Sequence, residues 1–444
     1  PYMVGDFFGG IPGSASTVVG PFVENTGTIA KQFLLEGYRQ ENFNGSTIII
    51  PNQHFYGPPG GGGLASAPGV VISSGGILQT IPGLVRTDAN GHATSTQPQF
   101  LALSTGQALP IGADVFDQGS QIYAVHETLN IVLPNPGESG AGLIGIPKIA
   151  ENTSPMPRDR VFFNYSDFRG VPLTMTGVNV SRLTPGFEKT FFDQSASIEM
   201  RFPFASTLNN TIVADGPASA GDVQFGDISL TGKGLIYTDE ELALSAGLQL
   251  ALPTANALNV GLADGTRLVR IKNESVYLMP FLGGLWTPGD RFYTQGFLQF
   301  QVPANSNGVY VNNTFNGGPL TAAGSIQDVP YVFCDLGTGY WFFRNDEGSG
   351  ITGFSGTVEM HYNASLGTSE TVTAGAYRIG SAANSVEMLN GVIGGHLYFN
   401  QNLSVTAGYA FPFGNPTDQL FTGELRVFMN YTFGSQRFRT PPLL

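Results

Sequence analysis

Residues 389–433 read LNGVIGGHLYFNQNLSVTAGYAFPFGNPTDQLFTGELRVFMNYTF. The stretch holds three segments of about ten residues each, in which apolar side chains alternate with small or polar ones. In the middle segment Leu403, Val405, Ala407, Tyr409 and Phe411 share one parity, and Ser404, Thr406, Gly408 and Ala410 the other. In the last, Leu425, Val427, Met429, Tyr431 and Phe433 oppose Glu424, Arg426, Asn430 and Thr432, with Phe428 the one misfit. A period of two means strands, because successive side chains point to opposite faces of a sheet. One face here is apolar and aromatic while the other carries charge, the pattern of a transmembrane β-barrel wall with lipid outside and water inside.

The whole chain is compatible with that reading. Of 444 residues only 12% are charged, whereas Gly numbers 60 and aromatics reach 11%, a composition poor in what exposed helices require. The formal net charge of −13 argues against nucleic acid as a partner, since phosphate neutralisation needs clustered Lys and Arg. A single cysteine, Cys334, rules out an intrachain disulfide framework and any cysteine-rich metal site. No run of 18 or more apolar residues occurs, so a membrane-embedded form must cross with strands. The start at Pro1, without an initiator Met, suggests a mature exported product.

Going back from residues 389–433, the rhythm begins at Arg160 and gives twelve candidate strands: 160–166, 185–192, 196–204, 223–237, 242–252, 276–286, 292–302, 330–343, 353–363, 390–399, 403–413 and 421–433. Links after even-numbered strands are short (193–195, 238–241, 287–291, 344–352, 400–402). Those after most odd-numbered strands are long (205–222, 253–275, 303–329, 364–389), with 414–420 the exception. That asymmetry is characteristic of outer-membrane barrels, whose short turns are periplasmic. Phe191, Tyr237, Trp286, Tyr340, Tyr398 and Tyr431 gather at the short-turn ends, where amphipathic rings favour the headgroup zone. Apolar-Pro steps such as Phe202-Pro203 and Val302-Pro303 mark the opposite strand ends, because Pro lacks a ladder donor.

The expected fold is therefore all-β: a transmembrane antiparallel barrel of about 12 strands over 151–433, a β-rich region over 1–150 and a tail over 434–444. In the first region, short β-prone runs (46–50, 70–72, 121–132) and one short helix (28–39) are separated by Gly and Pro clusters. PPGGGG at 58–63 lacks the Lys and Ser/Thr of a phosphate cradle, and DANG at 88–91 does not continue as a calcium loop. A plug, a periplasmic or surface domain, and an oligomer contact all fit this region.

The polar parity of the wall predicts a pore lining of Glu199, Arg201, Gln249, Gln295, Gln299, Gln301, Asp335, Glu359, His361, His396, Glu424 and Arg426. A charge facing lipid would cost roughly 2–4 kcal/mol near the midplane, so these side chains belong inside. Their alternative role is a satisfied network filling a closed barrel. Pairs such as His361 with Ser355 or Ser365, and His396 with Ser404, are of the residue types that a lipid-hydrolysing wall site uses, but both His lie on the lumen parity, whereas action on a membrane lipid favours the lipid face. The chain also lacks a G-x-S-x-G elbow and an H-E-x-x-H metal helix. No enzyme, cofactor or metal is expected. Cys334 lies on the apolar parity and reads as a small hydrophobe.

Residues 147–204, with PKIAENTSPMPRDRVFFNYSDF followed by LTPGFEKTFFDQSASIEMRFPF, resemble a family of porin-like outer-membrane barrels of planctomycete-type bacteria. The resemblance implies a Gram-negative-type outer membrane, passive or weakly selective transport, and side-by-side assembly of barrels. It supplies no binding site. The function expected is that of a bacterial outer-membrane porin for small hydrophilic solutes or ions, a homo-oligomer in contact with lipid, with modest cation preference. Two alternatives stand beside it: a structural surface or lattice-forming barrel with a plugged pore, and a hatch-gated transporter of apolar solutes. A soluble β-sandwich would show similar alternation and would need no detergent.

Overall fold

The computed structural model describes residues 1–6, isolated strands between residues 12 and 134, and residues 139–433 with short breaks at 175–176, 215–219, 264, 314–317, 346–349, 369, 382–384, 401 and 415–418. The chain forms two compact units, Pro1–Ala15 with Ile131–Leu444, and Ser16–Asn130. Sequence pattern set 1–150 apart as one region, whereas contacts join both its ends to the barrel.

In the second unit, Tyr38–Phe43, Ser46–Pro51 and Val71–Ser73 form one antiparallel sheet, and Leu78–Ile81, Phe100–Leu103 and Ala108–Leu109 another. Two of the three expected β-runs of the first region are among these strands, and the third falls on Glu127–Pro134. Most of the expected helix at 28–39, and the loops at 58–63 and 88–91, lie outside the described residues.

The first unit is a closed antiparallel barrel of twelve strands. They are β1 (Arg160–Val171), β2 (Val178–Phe191), β3 (Ala196–Arg201), β4 (Ile228–Thr238), β5 (Leu242–Leu252) and β6 (Tyr277–Trp286), followed by β7 (Phe292–Pro303), β8 (Tyr331–Arg344), β9 (Ile351–Ser365), β10 (Glu387–Phe399), β11 (Leu403–Phe413) and β12 (Gly423–Thr432). Closure comes from the pairing of β12 with β1, where Arg160 lies opposite Thr432 and Arg169 opposite Gly423. Closing the sheet removes every edge, which is what a strand-built wall needs in lipid. β3 breaks at Phe202–Pro203 and resumes as Phe204–Leu208 on the same register against β2. β4 is likewise preceded by Ala220–Phe225, which pairs with that continuation.

The alternation read from the sequence is the alternation of burial. Val161, Phe163, Leu282, Phe300, Val358, Met429 and Tyr431 stand exposed on the outside while their neighbours are buried inside. An exposed apolar belt around the wall fits a lipid environment and would be an aggregation liability in water. Among the described residues no helix is long and apolar enough to cross a membrane. Cys334 is exposed on the same outer parity. Short turns join β2–β3, β4–β5, β6–β7, β8–β9 and β10–β11, as expected. Three of the long links form a five-stranded sheet of Thr211–Val213, Leu258–Gly261, Arg267–Ile271, Asn307–Val311 and Thr321–Ile326, while the strands of the fourth, Thr371–Ala374 and Tyr377–Ser381, pair in another sheet.

β2 begins seven residues before Pro185, where the sequence pattern placed its start. Pro185 is tolerated inside the strand because it lies where β3 breaks, its carbonyl accepting a bond from the Phe202 amide (3.0 Å).

At the long-loop rim, Asp227 fills the break before β4. Its Oδ1 accepts bonds from the Ala255 amide (2.9 Å) and Asn273 Nδ2 (2.8 Å), while its Oδ2 is buried without a hydrogen bond. Burial pushes this carboxyl up to about 6, against the lowering effect of those bonds. The folded form thus binds the proton more tightly than the unfolded chain, so this contribution is complete below about pH 4 and is lost as pH rises through about 6. Asp227→Asn is expected to stabilise the rim above pH 6 by at most about 3 kcal/mol and to have little effect at pH 4. Hydrogen exchange at residues 254–256, compared at the two pH values, measures it.

Candidate functional site: the barrel lumen

A twelve-stranded wall encloses more space than its own side chains fill, so something must occupy the remainder. Two stretches of this chain do so. Pro1–Asp6 runs through the lumen, and the segment from the 3-10 turn Ser139–Leu143 to Asp159 runs beside it before entering β1. Both are largely irregular, so their backbone polar groups need partners other than a ladder, and side chains of the wall supply many of them.

Glu359 on β9 accepts the amides of Val4 and Gly5, one on each carboxylate oxygen, at 2.8 Å each. Arg426 on β12 donates to the Val4 carbonyl (3.0 Å), Arg201 on β3 to that of Lys148 (3.2 Å), and Gln249 on β5 to that of Pro147 (2.6 Å). Gln299 on β7 accepts the Ile149 amide (2.9 Å) and bridges to Gln249 (3.0 Å).

Charges are paired in three linked groups. In the first, Glu151 is shared by Arg182 of β2 and by Arg426 (2.8 Å), which also holds Glu424 (2.7 Å). In the second, Arg160 binds Glu188 (2.9 Å) and Glu199 (2.6 Å), Lys233 binds Glu188 (3.0 Å), and Arg201 binds Glu199 (2.6 Å). In the third, the Lys148 ammonium touches Asp6 and Asp335 (3.1 Å) and donates to Asn363 (2.7 Å). Asp335 and Glu359 flank the His361 ring at 2.7 and 3.1 Å. Asp6, Asp335 and His361 are close enough to share a metal ion, but the lysine ammonium already supplies the cation there.

Apolar contacts complete the filling. Met3, Ile149 and Ala150 pack on Phe281 and Phe297, which point inward from β6 and β7. Towards the short turns, Met156 packs with Ala243, Leu285, Tyr293 and Trp341. Val4 rests on a glycine pair, Gly394 opposite Gly408, where added Cβ atoms would lie 3.1 and 2.8 Å from its methyl groups. Gly408→Val is therefore expected to displace the first segment, costing about 1–3 kcal/mol as overpacking does. Faster hydrogen exchange at Val4 and Gly5, with the wall amides unchanged, is the readout.

All the residues expected to line the lumen, from Glu199 to Arg426, are buried on its inner side, and most of those just described hold the inner segments or one another. Gln295 and Gln301 are buried there too. His396 shares a hydrogen bond with Thr406 (2.8 Å), and the two ring nitrogens of His361 are taken by Asp335 and Glu359, so these rings are engaged with partners other than the serines of those Ser–His pairs. Sequence reading missed Asp6, Lys148, Glu151, Arg160, Arg182, Glu188 and Lys233. Arg182, Glu188 and Lys233 keep the inward parity of β2 and β4; Arg182 was missed because β2 starts at Val178 and not at Pro185, whereas Glu188 and Lys233 already lay within the expected strands and their parity alone could have found them.

No protein-family model and no curated protein matches the chain. Solved structures similar to it include an outer membrane channel from Pseudomonas putida F1 (TM-score 0.43, 11% identity, covering 66% of this chain and 98% of that one). Others are the NanC porin (0.36, 7%, 62% and 100%) and the toluene transporter TodX of Pseudomonas putida (0.35, 9%, 67% and 95%).

Proposed function

We propose that this protein is a bacterial outer-membrane barrel whose lumen is sealed by its own chain, and that it serves as an anchor carrying the Ser16–Asn130 unit at the cell surface. The observation that supports this is the saturation of the lumen. Its buried guanidinium and ammonium groups face carboxylates of the wall or of the inner segments, at the distances given above. A conducting pore keeps its lining charges hydrated for passing solutes, whereas these are withdrawn from water. The second reading is a channel for small hydrophilic solutes or ions whose plug moves aside. It is favoured by the polarity of the wall's inner face, which a permanently packed interior does not require.

Planar-bilayer recording of the intact protein separates the two. The anchor gives no conductance steps at any voltage. Stable steps from unmodified protein would overturn it in favour of the channel. Protease shaving of intact cells provides a second arm, since a surface anchor must expose the Ser16–Asn130 unit to the medium.

A further inference from the structure

We propose that the long-loop sheet carries a binding site for an acidic saccharide, centred on Arg267 and Arg270. A cavity of about 540 Å³ opens there, lined by Gly265, Arg267, Arg270, Lys272, Tyr310 and Leu320 among others. This volume lies in the range of small-molecule sites, and a bare inorganic anion would leave most of it empty.

The two arginines reach one face through a local irregularity. Three positions apart on a regular strand, they would point to opposite sides. The register between Leu258–Gly261 and Arg267–Ile271 shifts where Val260 pairs with Val269 and Gly261 with Arg267. Leu268 and Val269 are consequently both buried, and Arg267 and Arg270 both exposed. Bulges commonly re-aim side chains in this way next to functional sites. Arg270 lies opposite Tyr310 on the neighbouring strand.

Charge is unbalanced at this place. Lys272 is paired with Glu274 (3.1 Å), but neither arginine has a carboxylate partner among the described residues, in a chain of net charge −13. Two free guanidinium forks suit a carboxylate or phosphate, which each can bind through two parallel hydrogen bonds. Leu320 and the edge and hydroxyl of Tyr310 line the rest of the cavity, giving a mixed apolar and hydrogen-bonding wall that suits the hydroxylated ring of a sugar. The Tyr310 ring is already covered by Lys272 Nζ, 5.1 Å from its centroid, so it does not offer the open stacking face that a nucleotide base requires.

The test is calorimetric titration of the full-length protein in detergent with oligogalacturonate as the acidic glycan and maltohexaose as the neutral one. Binding of the acidic oligomer alone, weakened by salt, is expected. Loss of about tenfold in affinity for each of Arg267→Ala and Arg270→Ala follows from removing a hydrogen-bonded charge. Arg270→Lys should recover only part, having lost the fork. Both side chains are exposed, so unchanged thermal unfolding serves as the folding control. No binding by the unmodified protein, equal binding of maltohexaose, or undiminished binding by the double alanine variant would each overturn the proposal. So would binding confined to vesicles containing lipid A, which would assign the face to a lipid headgroup.

Discussion

Glu151→Lys is expected to convert an electrically silent barrel into a conducting one. Glu151 belongs to an inner segment and not to the wall, yet its carboxylate is shared by Arg182 and Arg426 and also accepts from Asn164 (3.3 Å). Lysine there would set a third cation against two buried guanidiniums. At 4 Å and an effective dielectric constant of 20, each such contact is worth about 4 kcal/mol, now repulsive instead of attractive. The twelve strands keep their ladder, because none of its hydrogen bonds involves this side chain. The segment therefore yields before the wall does. Stable conductance steps in a planar bilayer, with new protease cleavage between residues 139 and 159, are the expected result. Glu151→Gln, which removes the charge without reversing it, should stay silent or open only briefly. A Glu151→Lys barrel that remains silent and protease-resistant would show that the apolar contacts of Met3, Ile149 and Ala150 hold the plug by themselves.

The wall was legible because a ladder imposes a period of two, and lipid on one side with a polar interior on the other makes that period visible. The misfit at Phe428 has a structural explanation. It is fully buried on the inner face, with the Arg426 guanidinium 5.2 Å from its ring centroid, so an inward aromatic here partners a cation. Phe281 and Phe297 are also inward and meet the plug, where the sequence offered only glutamines as the polar signature of that face. The plug itself left no period to read. Residues 1–6 and 144–159 are not strands, and their amides and carbonyls are bonded to particular side chains such as Glu359, Gln299 and Arg426. Such bonds depend on where twelve strands bring those side chains together, which no local pattern encodes. Charge balance gave the remaining hint, since acids and bases both fall on the inner parity of a wall with few charges in total.

Arg160→Ala is expected to destabilise the barrel by several kcal/mol. This fully buried guanidinium binds Glu188 through Nε (2.9 Å), Glu199 through Nη2 (2.6 Å), and the Asn152 carbonyl and Asn430 through Nη1 (2.7 and 2.8 Å). The rings of Tyr2 and Phe162 also pack against it, their centroids 4.8 and 4.4 Å from Cζ. Arg160 thus ties its own strand to β2, β3 and β12 and to both inner segments at the point where the chain turns from plug into wall. A buried ion pair adds little net stability over a well-packed apolar substitute, but removing one partner leaves the other charged and dry, at about 3–5 kcal/mol. Here the loss falls toward the lower figure, because Glu188 keeps Lys233 (3.0 Å) and Ser197 (2.7 Å) and Glu199 keeps Arg201 (2.6 Å). The unfolding midpoint in urea should drop accordingly, with an unchanged slope if the exposed surface is unchanged. The double variant Arg160→Met with Glu199→Gln removes the stranded charge together with its cause, and should recover part of the loss. If Arg160→Ala alone costs less than about 1 kcal/mol, water reaches the network and the lumen is not sealed at this level. That outcome would favour the channel reading over the anchor, since a hydrated Glu188–Glu199 pair is what a permeable lining would present.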